Sequence, residues 1–372
     1  MASAEKLREI FSLIEKLEEY SFEIGPIRPP SEGGSYSLLI RVTRNCPWRL
    51  CTFCYGTLYN REKFQLRSVE EVKKDIKNVR AMVNLLKEIS LKLGYNGEIN
   101  LRLGETILEY DTTLRHNPYF INVFNWLYSG GKTVFLQDAD SLIISTKDLA
   151  EILSYLKSLF PQVERITSYA RAKTLLRKTV EELEELRKLG LSRLHVGLET
   201  GDDELLKLVN KGVTAKEHVE AGKKVIEAGI ELSEYIMPGL GGKTFSKQHA
   251  LNTAKVLNKI NPHYIRMRTF VPVLNTPLYE DYVKGRFKLL SPHECLREIK
   301  LLIENLNVTS RVCFDHFINP SLKGNIPIFR QSYEGYKFPE EKPLVLKTID
   351  EALKIDESKF RWTEELVGIP HL

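Results

Sequence analysis

The chain has 372 residues, 42% hydrophobic and 28% charged, enough to bury an enzyme-sized core and free of the bias of a disordered or fibrous protein. Its net charge of +5 is spread along the sequence, with no run of like charges and no basic block interleaved with aromatics. Nucleic acid is therefore not an expected partner, and an acidic small molecule fits equally well. No stretch approaches the roughly 18 apolar residues of a membrane span, and the start MASAEKLREIF lacks the apolar core and cleavage site of a secretory signal. No membrane association and a cytoplasmic location are expected.

Residues 4–20 place Leu7, Ile10, Phe11, Ile14 and Leu17 at helical spacing, predicting an amphipathic helix that the stretch GPIRPPSEGGS ends. Strands are then read from Tyr36, Lys132, Val163, Ser192, Ile230 and His263. Between them come helices from Ser68 to about Leu93 and from about Lys147 to Leu159, and others over 178–189, 202–210, 214–228 and 245–259. Six strands, each but the last followed by helix, require parallel pairing through right-handed crossovers. The result is an α/β sheet or open barrel with its active site at the carboxyl ends of the strands. Residues 94–116 have poor periodicity and read as an irregular insertion, of the kind used as a lid or substrate loop. After Phe270 the alternation ends, and helices near 292–306 and 343–354 read as a carboxyl-terminal cap. The expected organisation is an N-terminal helix and linker over 1–35, a core over 36–275 and a cap over 276–372.

Five cysteines, three at 46, 51 and 54 and two far away at 295 and 313, do not make a disulfide framework. In a reducing compartment the trio reads as metal binding. Cys46, Cys51 and Cys54 follow the first predicted strand, so one loop at the mouth of the sheet carries three thiolates. Three thiolates can ligate three irons of a four-iron cluster and leave the fourth open for a substrate. The same residues could hold zinc, with His116 or a remote cysteine as fourth ligand.

The phrase RVTRNCPWRLCTFCYG resembles the cluster loop of radical S-adenosylmethionine (SAM) enzymes, in the branch with oxygen-independent coproporphyrinogen oxidase, the methylthiotransferases and the Elongator acetyltransferase subunit. The family's usual C-x3-C-x2-C is longer here by one residue between Cys46 and Cys51, which a loop absorbs; an uncharacterised group of radical SAM proteins is similar in its CPW-x2-CTFC. The resemblance covers about residues 36–275. It implies a partial (β/α)6 barrel with an N-terminal helix and a C-terminal helical cap. It also implies a four-iron four-sulfur cluster on the three cysteines, SAM on the open iron, and an electron donor of the ferredoxin or flavodoxin type. Reductive cleavage of SAM to a 5'-deoxyadenosyl radical, which abstracts hydrogen from a small-molecule substrate, is the implied activity. A non-catalytic haem or iron–sulfur carrier on the same fold is the alternative.

The resemblance extends to further stretches. VFLQDADSL (134–142) stands where family members have a Gly-rich turn for the amino group of SAM, which implies Gln137, Asp138 and Asp140 there; acids at a strand end are also common helix caps. In SYARA (168–172), Tyr169 and Arg171 face one side of their strand. GLETGDDELLKLVNKGVT (197–214) resembles the family's G-x-[QE]-S stretch with a basic residue downstream, implying Glu199 near the SAM ribose and Lys211 near its carboxylate. Read without the resemblance, Glu199 caps the following helix and Lys211 complements its dipole. In YIMPGLGGKT (235–244), Gly239, Gly241 and Gly242 allow a tight turn, and the implied SAM contacts extend to Pro238, Gly239 and, in the cluster loop, Phe53. Arg266 and Arg268 share a face, open to an anionic substrate if it is the barrel interior and surface charges otherwise.

RVCFDHFINPSLKGNIP (311–327) gathers Cys313, Asp315, His316, Asn319 and Lys323, and its D-H-x2-N followed by L-K-G is similar to the uncharacterised relatives. Two readings stand. Asp315 satisfies backbone amides in a turn with His316 solvated, or the loop covers the barrel mouth and His316 and Asp315 form the catalytic pair that orients substrate or moves a proton.

Overall fold

The computed structural model describes residues 4–32 and 36–369. These fall into two compact units, the first comprising residues up to 44, 65–168 and 188–192, the second 45–64, 169–187 and 193 onward.

The first unit carries α1 (Ala4–Glu15), β1 (Ser37–Arg41), α2 (Val69–Leu93), α3 (Leu101–Tyr110), α4 (Pro118–Tyr128), β2 (Thr133–Gln137), α5 (Thr146–Leu159) and the start of β3 (Arg165–Ala170). The three strands pair in parallel, with Leu38 beside Val134 and Val134 beside Ile166. α2 starts at a capping box in which Ser68 and Glu71 satisfy each other's amides, and stops at Gly94, whose φ of 86° suits a residue without a Cβ. Its buried Val72, Ile76, Val79, Val83 and Leu86 recur at helical spacing, one stripe against the core. Asn122 of α4 accepts from Leu39 N–H at 3.0 Å and donates to Ser37 C=O at 3.1 Å, occupying backbone groups of β1.

The insertion over 94–116 is not an irregular loop. It contains α3, capped by Asn100, whose side chain accepts from Leu103 N–H, and a 3-10 turn over Thr112–His116. The pattern of α3 is faint because its buried residues are only Leu103, Gly104 and Ile107. Gly104 is required by proximity, since a Cβ there would lie 2.7 Å from the Phe124 ring.

The second unit carries the end of β3, α6 (Val180–Lys188), β4 (Leu191–Glu199), α7 (Asp203–Leu208), α8 (Ala215–Glu227), β5 (Glu231–Ile236), α9 (Gly242–Ile260), β6 (Tyr264–Met267), α10 (Pro277–Val283), α11 (Pro292–Asn305), β7 (Arg311–Cys313), β8 (Tyr336–Lys337) and α12 (Lys342–Ala352). β4 to β7 are parallel in chain order, and β8 returns antiparallel on β7. The tail beyond Phe270 therefore adds strands as well as helices. β7 has only three residues, too few to show a period of two. The six expected strands are β1 to β6, and the chain is α/β with parallel strands in each unit. Among the described residues no helix is long and apolar enough to cross a membrane.

Candidate functional site

The cysteine loop belongs to the second unit and is docked on the segment after α7. Thr52 N–H donates to Val209 C=O at 2.9 Å, Leu278 N–H donates to Thr52 C=O at 3.1 Å, and the Trp48 indole donates to Asn210 C=O at 2.7 Å. Gly212, with φ 74°, gives the indole room, because a Cβ would lie 2.4 Å from it. Cys51 and Phe53 join Leu205, Val209, Met237, Leu240 and Phe270 in one apolar cluster, with Trp48 and Cys54 against its edge. Trp48 and its Asn210–Gly212 seat fix the cysteine loop in place, a contact that sequence reasoning missed. The signal was present in the tryptophan after Cys46, but its partner lies 162 positions away.

All three thiols are free. The Cys51 thiol hydrogen-bonds to Cys54, which pushes Cys51 up and pulls Cys54 below the ordinary thiol value, while burial raises Cys46. Among the described residues, no three His, Cys, Asp or Glu side chains converge on a point where one metal ion could sit. A cluster whose irons each take one thiolate asks for no such convergence, so three separate sulfurs on one loop fit it.

Beside the loop lies an ion pair. Lys211 Nζ is 2.7 Å from Glu199 Oε1, with both side chains mostly withdrawn from solvent. Burial opposes the ammonium charge, but Glu199 and Cys51 together hold Lys211 above its ordinary value. Lys211 also stands 5.7 Å from the centre of the Phe53 ring, and its charge acts on Cys51 and Cys54. Gly197 makes the pair possible, since a Cβ there would sit 2.2 Å from Glu199 Oε1 and 3.0 Å from Lys211 Nζ. Arg171 donates to Lys211 C=O at 3.2 Å and lies over the Trp48 ring at 5.1 Å. Neither Glu199 nor Lys211 is a solvated cap or surface charge: the cap of α7 is Asp202, which accepts from Leu205 N–H at 2.8 Å. At the end of β5, Pro238 and Gly239 are buried; Phe270 N–H donates to Pro238 C=O at 2.8 Å and Gly239 N–H to the Glu298 carboxylate at 2.6 Å.

A row of rings crosses the strands of this unit, with Tyr169 5.9 Å from His195, His195 5.9 Å from Tyr235, and Tyr235 5.7 Å from His316, centre to centre. Burial pushes His316 down to about 3, so its ring is neutral, and its Nε2 is buried without a hydrogen-bond partner. Asp315 Oδ2 lies 2.5 Å from Arg266 Nη1, and Arg266 also donates to Ser233 Oγ at 3.2 Å and Tyr333 C=O at 3.0 Å. The solvated His316 of the turn reading is thereby corrected, because His316 is buried against Tyr235, while Asp315 bonds a backbone amide as well as the buried Arg266. Arg266 is likewise no surface charge, and its compensation by Asp315 weakens the expectation of an anionic substrate held there.

Gln137, Asp138 and Asp140 lie in the first unit and are fully buried. Gln137 accepts from Gly25 N–H at 2.8 Å and donates to Gly25 C=O and Ile27 C=O at 2.9 and 2.7 Å. Asp138 faces Arg41, Nη2 to Oδ2 at 2.5 Å. Both side chains are engaged with their own unit, so the carboxylate expected to face an amino group meets a guanidinium.

The family described as "Radical SAM superfamily" matches residues 121–254, a stretch that includes Glu199, Lys211 and Gly239 and begins after the cysteine loop. The tRNA uridine(34) acetyltransferase of Methanocaldococcus infernus is 24% identical over 120 residues, 32% of this chain and 22% of that protein. The heme chaperone HemW of Bacillus subtilis is 25% identical over 160 residues, 42% of this chain and 41% of that protein. The matches thus span well under half the length of these relatives. Among solved structures, coproporphyrinogen III oxidase (HemN) from Escherichia coli superposes with a TM-score of 0.41 at 16% identity, covering 79% of this chain and 54% of that one. Over residues 121–254, about a third of its length, the chain is thus similar to the radical SAM superfamily.

Proposed function

We propose that Cys46, Cys51 and Cys54 hold the cluster, that Glu199, Lys211, Arg171, Phe53, Pro238 and Gly239 form the SAM-binding surface beside it, and that the enzyme abstracts a hydrogen atom from a small-molecule substrate. The observation that carries this reading is the docking of the cysteine loop on the segment leading to Lys211, so that three thiols and the Glu199–Lys211 pair meet within one unit. Cys46, Cys51 and Cys54 would hold the cluster, which when bound and reduced would supply the electron for reductive cleavage of SAM. Lys211 offers a cation for the SAM carboxylate, and Glu199 an acceptor for a ribose hydroxyl, once SAM enters between them. The apolar cluster around Phe53, Met237 and Phe270 excludes water from that surface.

His316, with its buried and unpartnered Nε2, and the Asp315–Arg266 pair behind it are the groups we assign to substrate. A neutral imidazole can donate or accept one hydrogen bond and can take a proton from a substrate group. An electron carrier of the ferredoxin or flavodoxin type would supply the electron.

The test is anaerobic reconstitution followed by reduction in the presence of SAM, with 5'-deoxyadenosine measured. Formation of 5'-deoxyadenosine supports the enzyme reading. A reconstituted protein that binds haem and yields none supports carriage of haem, the reading that the similarity to a heme chaperone favours. His316→Ala should retain cluster, SAM binding and slow substrate-free cleavage while substrate-dependent turnover falls.

A further inference from the structure

Glu199 sits in an unusual piece of backbone. Its φ is 59°, in the left-handed region, and the residues around it close a three-residue turn in which Thr200 N–H donates to Leu198 C=O at 2.7 Å. A turn of that kind with positive φ is rare and strained for a residue with a Cβ, and persists only where its surroundings enforce it.

The surroundings here are a set of buried polar groups on α9. Thr200 Oγ1 lies 2.8 Å from His249 Nδ1, and Gly201 N–H donates to Thr253 Oγ1 at 2.9 Å. Thr200 Oγ1 also accepts from Asp202 N–H at 3.1 Å, so its own hydrogen is directed to the ring nitrogen. Burial pushes His249 down to about 4, and the ring's other hydrogen bond is to the backbone of Met237. The neutral tautomer that satisfies both partners accepts at Nδ1 and donates at Nε2. Met237 N–H in turn donates to Glu199 C=O at 3.0 Å, which closes the circuit. Gly201 lets the turn rest directly on the helix, since a Cβ there would lie 2.5 Å from Asn252 C=O and 2.7 Å from Thr253 Cα.

We propose that Thr200, His249 and Thr253 are positioning residues: they hold the left-handed turn at Glu199, and through it aim the Glu199 carboxylate toward Lys211 and the SAM ribose. None of the three needs to touch SAM. The inference rests on the reading of Glu199 as a SAM contact, and the experiment separates the two. Thr200→Val keeps the shape and removes the hydroxyl, Thr200→Ser keeps the hydroxyl, and Thr253→Val removes the acceptor for Gly201 N–H. Each is compared with wild type and Glu199→Ala for iron content, SAM affinity by calorimetry on the reconstituted protein, and amide hydrogen exchange over residues 199–201 in the metal-free protein.

Thr200→Val and Thr253→Val should take up iron as wild type does, bind SAM roughly tenfold more weakly, and exchange at least tenfold faster over 199–201, with Thr200→Ser restoring both. Wild-type affinity in Thr200→Val together with weakened binding in Glu199→Ala would overturn the positioning role and leave the SAM contact standing. Wild-type affinity in Glu199→Ala would overturn the SAM contact itself, whatever the exchange rates show.

Discussion

Each unit carries an acid at the carboxyl end of a strand, and the two acids are treated differently. In the first unit Asp138 follows β2, is fully buried, and meets Arg41 in a network where Glu23 also answers Arg41, Arg44 and Arg67, and Arg67 answers Asp75. In the second unit Glu199 ends β4 in a strained turn, has one cation, and shares that cation's field with two thiols. A multiply bridged ionic network fixes structure, because removing one member strands the others. A single pair held in costly backbone beside reactive sulfur is the arrangement expected of a site.

The comparison breaks first at the cysteines. Replacing any one of Cys46, Cys51 or Cys54 by Ala should abolish cluster binding, measured as iron and sulfide after anaerobic reconstitution, whereas Cys295→Ala and Cys313→Ala should retain it. A full cluster in Cys51→Ala would remove the second unit's claim to the chemistry. Next in size is Asp138→Ala, expected to cost roughly 3–5 kcal/mol of stability in urea unfolding by leaving Arg41 half-compensated in a buried place. Its folded fraction should bind SAM as wild type does; a specific loss of affinity would return Asp138 to the SAM surface.

Glu298 sharpens the contrast through pH. It is a buried carboxyl that faces His249, Ser246, Cys295 and Gly239 N–H and is raised by burial to about 7. Between an unfolded value of 4.5 and that folded value, the native state holds more protons than the unfolded chain. This contribution to stability is therefore full at acid pH and falls as pH rises toward 7, by roughly 3 kcal/mol. Glu298→Gln should flatten that part of the wild-type stability profile, and an identical slope in the variant would show that the carboxyl does not titrate there. The smallest effect is expected for Glu199→Ala and Lys211→Ala, which should retain the cluster and lose about 1.5–3 kcal/mol of SAM binding, tenfold or more in affinity by calorimetry. Unchanged affinity in both would make the pair as structural as Asp138 and Arg41.

Much of the scaffold was legible because its signals are local. The apolar stripe of α2, the capping box at Ser68 and the short β-branched runs of β1 to β6 declare themselves within a dozen residues. α3 was missed because its inward face is a glycine and two aliphatics, and β7 because three residues have no period. Gln137 and Asp138 were read toward SAM because a polar side chain at a strand end looks the same whatever meets it. Arg41 and the Gly25–Ile27 segment, about a hundred residues away in sequence, decide what it is.

The sequence by itself determined the order of strands and helices, the cysteine trio and the register that sets Glu199 twelve residues before Lys211, since each depends on spacing along the chain. Only the tertiary structure decided that Trp48 seats the cysteine loop on Asn210, that Asp315 compensates Arg266, and that His249 holds the turn at Thr200. Those partners stand 162, 49 and 49 positions apart. A hydrogen bond or ion pair at such separation leaves no periodic trace, because its energy depends on two side chains meeting out of water and not on the residues that flank either of them.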